Sequence, residues 1–197
     1  MKQKIDEKAN FNKGLVVIIG GTSGAGKDTI IKKVIEKNPS LFGLFVSYAT
    51  RAPRDSEVNG IHYHFITEKE FLKHLRDGEI VEFTTRHNEY KGMSARLIDA
   101  ELSKGLIAIK DAEVEGVKGL RKYGYNLLSI YLTVPREEVA RRLCARGCSD
   151  EELAHRLSDY DNHLSSSKFY DVLVENKEIE VCAENIYQMI LSRINKG

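Results

Sequence analysis

The sequence predicts an α/β fold: a parallel β-sheet flanked by helices. Three observations lead there. The apolar run Leu15-Val16-Val17-Ile18-Ile19 passes almost directly into the glycine-rich turn Gly21-Thr22-Ser23-Gly24-Ala25-Gly26-Lys27-Asp28, which opens a segment with helical spacing at Ile30, Ile31, Val34 and Ile35. Short apolar runs then alternate with helical patterns along most of the chain, and strands alternating with helices imply a parallel sheet covered on both faces. Finally, 197 residues of which 42% are hydrophobic suffice for one well-buried core and are short for two.

The glycine-rich turn carries the clearest chemistry. Glycines let the backbone aim its N–H groups inward around an anion, and the following helix adds its positive end. Lys27 reaches the β/γ-phosphates of a nucleoside triphosphate as a mobile point charge. Gly21, Thr22, Ser23, Gly24, Ala25, Gly26, Lys27, Asp28 and Thr29 are therefore the candidate ATP-binding residues. A strand–helix turn without a ligand is the bland alternative; the strand, the glycines and the correctly spaced lysine weigh against it. The residue after the lysine, ordinarily a Ser or Thr whose hydroxyl touches Mg2+, is Asp28, which becomes a candidate metal ligand.

Composition excludes several classes. Thirty basic and 29 acidic side chains leave a net charge of +1, so no global field points to nucleic acid or a membrane surface. No apolar run approaches the ~18 residues of a membrane span. Residues 1–13 are polar and charged without an apolar stretch, and read as a flexible N-terminal extension rather than a signal peptide. Cys144, Cys148 and Cys182 form an odd set without metal-ligand spacing, which suits a reducing cytoplasm. A cytoplasmic protein is expected.

In chain order, Asn38-Pro39-Ser40 ends the first helix. Leu44-Phe45-Val46 predicts a short strand. Ser47-Tyr48-Ala49-Thr50-Arg51-Ala52-Pro53-Arg54 follows as a rigid, exposed turn, a pattern that in isolation is more often a solvated basic loop. Asn59-Gly60 signals a hairpin turn before the alternating strand His62-Tyr63-His64-Phe65. Thr67 with Glu70 forms a capping box starting a helix through Phe71, Leu72 and Leu75, stopped near Gly78. Ile80-Val81-Glu82-Phe83 is a short strand carrying one carboxylate. His62, His64, His74 and His87 lack metal-ligand pairing. Residues 47–93 thus read as a small β-rich insertion.

The alternation then resumes. Residues 94–102 predict a helix ended by Gly105, and Leu106-Ile107-Ala108-Ile109 a buried strand delivering Asp111 at its carboxyl end, where a Mg2+-proximal carboxylate belongs. Helices at 114–123 and 136–146 bracket a strand at 127–134 that Pro135 ends. Ser149 with Glu152 is a second capping box opening a longer helix to about residue 163. Val172-Leu173-Val174 is the last strand and residues 181–194 the last amphipathic helix. Ligands of such sheets lie at strand carboxyl ends, where the glycine-rich turn, Ser47 and Asp111 all fall.

The order of motifs resembles the guanylate kinase family: GxSGxGK, SxxTRxPRxxExxGxxYxF, a strand with glutamate, Asp-x-(Asp/Glu)-x-x-Gly-Val, then Arg-x-x-x-Arg-Gly. The match runs from residue 15 to about 176, and the second motif is close to unique to that family. The resemblance implies an ATP:GMP phosphotransferase, using Mg2+ and also taking dGMP, within one domain at 14–197. Its parts would be a P-loop NTPase-type core (14–46 and 106–197), a monophosphate-binding insertion (about 47–93) and an arginine-bearing helical lid (about 144–158). It implies that Arg51, Arg54 and Tyr63 clamp the acceptor's phosphate, that Ser47 and Glu82 read guanine, and that Glu113 and Asp111 face the acceptor, Asp111 also near the metal. Lys27, Arg142, Arg146 and Arg156 would stabilise charge during transfer. The partners implied are the nucleotides themselves, with the protein a monomer or homodimer. The chemistry agrees: phosphoryl transfer needs positioning and charge neutralisation, and guanidinium groups recognise phosphate bidentately.

Several residues depart from the family pattern. Lys91 stands where a phosphate-binding tyrosine is usual, and Met93 where a hydroxyl donates to the guanine carbonyl. Glu113 replaces an aspartate, and Lys110 an apolar residue. Losing a neutral hydrogen bond costs about 1 kcal/mol, while bonds to an ionised Glu82 are worth about 1.5–3 kcal/mol. Guanine recognition is expected to weaken and not vanish, with Lys91 as third phosphate ligand, or with Tyr90 or Ser94 substituting after a small shift. Two other readings use the same residues. One is a kinase of this fold with another acceptor, such as ribose bisphosphate, for which Asp28 speaks. The other is a non-catalytic, peptide-binding scaffold, against which Lys27 and the lid arginines speak.

Overall fold

β1 (Leu15–Gly21) lies at the centre of a five-stranded sheet ordered β2 (Phe42–Leu44), β7 (Ile107–Asp111), β1, β8 (Asn126–Thr133), β9 (Val172–Glu175), parallel throughout. The computed structural model describes residues 14–195 except Ser23, His87, Arg146 and Asp159, without the side chains of Arg86 and residues 161–163. The extension at residues 1–13 lies outside them.

Side chains alternate across a strand, so a central strand needs cover on both faces. Leu15, Val17 and Ile19 pack with Ile30 and Val34 of α1 (Lys27–Lys37) and with Ile186 and Ile190 of α8 (Ile179–Ile194). Val16 and Ile18 face Ile98 of α3 (Ala95–Leu102) and Val117 and Leu120 of α4 (Val114–Tyr123). This is the expected layered α/β architecture. No helix among the described residues is long and apolar enough to cross a membrane.

A second sheet, ordered β4 (His64–Phe65), β3 (Tyr48–Ala49), β6 (Glu89–Ser94), β5 (Ile80–Arg86), rises between β2 and α3. Its own small core joins Tyr48, Ile80 and Phe71 of α2 (Glu68–Arg76). The capping box at Thr67 and Glu70 forms in full, and Gly78 follows the helix end at φ 73°.

Several local expectations are corrected. The strand expected at residues 44–46 is Phe42–Leu44, because pairing with β7 ends at Leu44, while Phe45 is buried in the core with Val16 and Ile18. Asn59-Gly60 makes a turn but no hairpin: β4 pairs with β3 in parallel and is only two residues long. The hairpin lies elsewhere, β5 against β6, with Asn88 at φ 61° at its tip. The helix expected to run on to residue 163 is seen as α6 (Asp150–Ser158) and α7 (Tyr160–Ser165), with Asp159 between them outside the described residues. Of the second capping box only the Glu152 N–H to Ser149 Oγ bond forms (3.2 Å), because the Glu152 carboxylate turns to Arg156. α5 (Arg136–Ala145) precedes them.

Candidate functional site

The glycine-rich turn links the end of β1 to the start of α1. Gly24 and Gly26 sit at φ 77° and 86°, left-handed conformations that side chains other than glycine adopt only with strain. Asn176, fully buried just beyond β9, donates from Nδ2 to the Ala25 carbonyl (2.8 Å) and so ties the turn to the far strand. Lys27 Nζ rests on the carbonyl oxygens of Gly21 (3.1 Å) and Thr22 (3.2 Å). Burial lowers its pKa, opposed by the charges of Asp111, Asp28 and Glu113. Thr22 Oγ1 is buried with no hydrogen-bond partner among the described residues. An orphaned hydroxyl, a lysine resting on carbonyls and a turn shaped by left-handed glycines are the features that a phosphate chain completes. Asp28 and Thr29 lie in the first turn of α1, Asp28 exposed. Ser23 lies outside the described residues.

Both Asp28 and Asp111 act electrostatically on Lys27. Oxygen donors of this kind suit Mg2+, which keeps several waters and draws its remaining ligands from substrate phosphates. Among the described residues no three His, Cys, Asp or Glu side chains group into a metal site of their own.

The insertion and the carboxyl end of β7 enclose a cavity of about 430 Å3. Ser47, Arg51, Arg54, Tyr63, Glu82, Lys91, Asp111 and Glu113 all line it, although they come from separate stretches of chain. Tyr63 is central to its cationic side: Arg51 Cζ lies 5.2 Å and Lys91 Nζ 5.0 Å from the ring centre. Burial pulls the Lys91 pKa down, but Tyr63, Asp111 and Glu113 more than offset it, so the pKa is raised. Toward the other side, burial raises the pKa of Glu82, partly countered by Lys91. Ser47 is 2% exposed, and Met93, at 2%, packs its methyl group toward Gly116.

Some residues of the site escaped the sequence reading. Glu57 grips Arg51 through both carboxylate oxygens (2.6 Å each), and its Oε2 also accepts from the Arg54 N–H (2.9 Å). These bonds hold the Glu57 pKa at about 2. Its place inside the TRxPRxxE run was the available signal. Asn176 left none, because its partner Ala25 is 151 residues away. Lys110, noted only as a departure, is 7% exposed and lines the cavity. Burial pushes its pKa down, Asp111 opposes this, and Lys91 adds to it.

The arginines expected in a lid stand apart. Arg142 Nε donates to Glu138 Oε1 (2.7 Å) and its Nη2 to the Asn176 carbonyl (3.1 Å). Arg156 binds Glu152 Oε1 through Nε (2.9 Å) and Nη2 (2.6 Å). In each case a glutamate one turn earlier captures the guanidinium, and neither arginine is on the cavity wall. Arg146 lies outside the described residues.

Residues 13–193 match the guanylate kinase family profile. Guanylate kinase of Mycoplasmoides gallisepticum is 34% identical over 180 residues, covering 90% of this chain and 92% of its own. Guanylate kinase 1 of Oryza sativa subsp. japonica is 33% identical over 179 residues, covering 88% of this chain and 47% of its own. The chain thus spans about half the length of the plant relatives it matches. The crystal structure of guanylate kinase from Anaplasma phagocytophilum has a TM-score of 0.69 at 24% identity, covering 91% of this chain and 86% of that one. At that identity the likeness speaks for the fold alone.

Proposed function

This chain belongs to the guanylate kinase family, and we propose that it transfers the γ-phosphoryl group of ATP to GMP, and to dGMP, yielding the diphosphate. The observation that carries the reading is that one cavity is lined by the two arginines and by a half-buried glutamate, with Asp111 connecting it electrostatically to Lys27. In this reading Lys27 and the N–H groups of the glycine turn bind the phosphates of ATP. Arg51, Arg54, Tyr63 and Lys91 hold the acceptor's phosphate. Glu82 accepts from the guanine N1–H and amine, with Ser47 beside it, and Glu113 faces the acceptor. An acceptor phosphate oxygen then attacks the γ-phosphorus in line.

Asp28 and Asp111 would hold Mg2+, which when bound neutralises phosphate charge. Arg142, Arg146 and Arg156 act after the lid and insertion close and exclude water, Arg142 and Arg156 exchanging their glutamate partners for phosphoryl oxygens.

The test is a coupled ADP-release assay with ATP, Mg2+ and a panel of acceptors: GMP, dGMP, AMP, UMP, CMP and ribose bisphosphate. GMP and dGMP should be the preferred acceptors. Turnover with ribose bisphosphate and none with GMP would transfer the reading to a different acceptor, as Asp28 suggests. Absence of turnover with every acceptor would favour a binding domain.

A further inference from the structure

Lys110 is the charged residue on a stripe that is otherwise apolar. It shares its face of β7 with Ala108, which packs with Val16, Ile18 and Val117. At 7% exposure most of the side chain lies against protein, and burial disfavours its charge unless good partners replace the lost water. Among the described residues its ion-pair partner is Asp111 Oδ1 at 3.6 Å. That is well beyond the roughly 2.7–2.9 Å of a charge-assisted hydrogen bond, so its three N–H donors lack close acceptors. The same side chain lines the acceptor cavity. Lys91 and Tyr63 act on it electrostatically, and Arg51 and Lys91 approach the Tyr63 ring at 5.2 and 5.0 Å. Cations from three stretches of chain therefore converge on one part of the wall.

We propose that Lys110 is an acceptor-binding residue, donating together with Lys91 to the phosphate of the nucleoside monophosphate, so that the acceptor is held mainly through that group. The proposal rests on the cavity being the acceptor site. An oxyanion there supplies the close acceptors that Asp111 alone does not. It also offsets the repulsion between the two lysines. The same shift of binding toward the phosphate fits Met93, which has no donor to offer a base carbonyl.

The experiment compares GMP, AMP and guanosine binding to the wild-type protein and to Lys110→Met, which keeps the stem and removes the charge. GMP and AMP affinity should fall by the same factor, on the order of tenfold or more. Guanosine, which lacks the phosphate, should bind as before. Lys110→Gln should show the same pattern at smaller size, and guards against a Met variant that fails to fold. An altered GMP-to-AMP ratio would mean that Lys110 reads the base, and would overturn the proposal. So would a lower kcat with GMP affinity unchanged, which would reduce Lys110 to a support for Asp111. These binding measurements are independent of turnover. If the wild-type protein binds GMP but does not phosphorylate it, the kinase reading fails while the role of Lys110 is still decided.

Discussion

Lys27 and Glu82 are each bent away from the ordinary behaviour of their side chains by burial. Lys27 already accepts a loss of hydration while resting on two backbone carbonyls, which makes exchange for phosphate oxygens favourable. Lys27→Ala should lower kcat by on the order of 10²–10³ or more, the effect of removing a preorganised charge contact, with the unfolding midpoint little changed. Near-full turnover in the ADP-release assay would contradict this. Glu82 supplies a pH dependence. In the proposed role it must be ionised to accept from guanine, so GMP affinity should be full above its folded pKa and fall as pH drops through it. Because burial raises that pKa above 4.5, the loss begins at a higher pH than an exposed glutamate would give. For folding the sign is the reverse: a raised carboxyl pKa contributes stability at low pH that is lost as pH rises through it. Calorimetric GMP titrations from acid to neutral pH should show the decline in the wild-type protein and lack this component in Glu82→Gln. Superimposable profiles would remove Glu82 from base recognition.

At the scale of elements, the Arg51–Arg54 turn, β5–β6 and the end of β7 each contribute a wall of the cavity. The turn is not loose. Glu57 binds the Arg51 guanidinium and the Arg54 N–H at once, so the two arginines are presented as a unit. Arg51→Ala and Arg54→Ala should each weaken GMP binding by about 2–4 kcal/mol while ATP binding changes little, since a phosphate in a closed site is left without its partner. Separate titrations of GMP and ATP check this, and an equal loss for ATP would detach the turn from the acceptor site. Glu57→Gln should raise KM for GMP with kcat nearly kept, because it loosens the clamp without touching the transferred group. A fall in kcat at constant KM would show that Glu57 acts on transfer instead.

Across the whole molecule, β1 couples the two core faces to the site. Its residues are buried on both sides, and the turn that follows inherits its position. Ile18 is fully buried on the α3–α4 face, and Ile18→Ala should cost about 2–5 kcal/mol of stability through lost contacts and a residual cavity. Denaturant unfolding would report this as a lower midpoint at unchanged slope. A change below 0.5 kcal/mol, the ordinary range of surface substitutions at about that size, would mean that the sheet tolerates loss on that face.

Local patterns decided much of this protein. Apolar runs of strand length, the capping box at Thr67 and the glycine turn before Lys27 act through neighbours in sequence, so the layered α/β architecture was legible from them. Ser47, Arg51, Arg54, Tyr63, Glu82, Lys91, Asp111 and Glu113, which the structure gathers around the cavity, were legible only through the resemblance, because each sits in one of its motifs. What the chain alone did not fix depends on pairing at a distance. The parallel docking of β4 on β3 and the Asn176 bond to Ala25 are set by which surfaces meet after folding. Lys110 shows the difference most plainly. On the strand it is only a charge in an apolar run; its burial beside Asp111 and its reach into the cavity exist because the insertion folds over the end of β7.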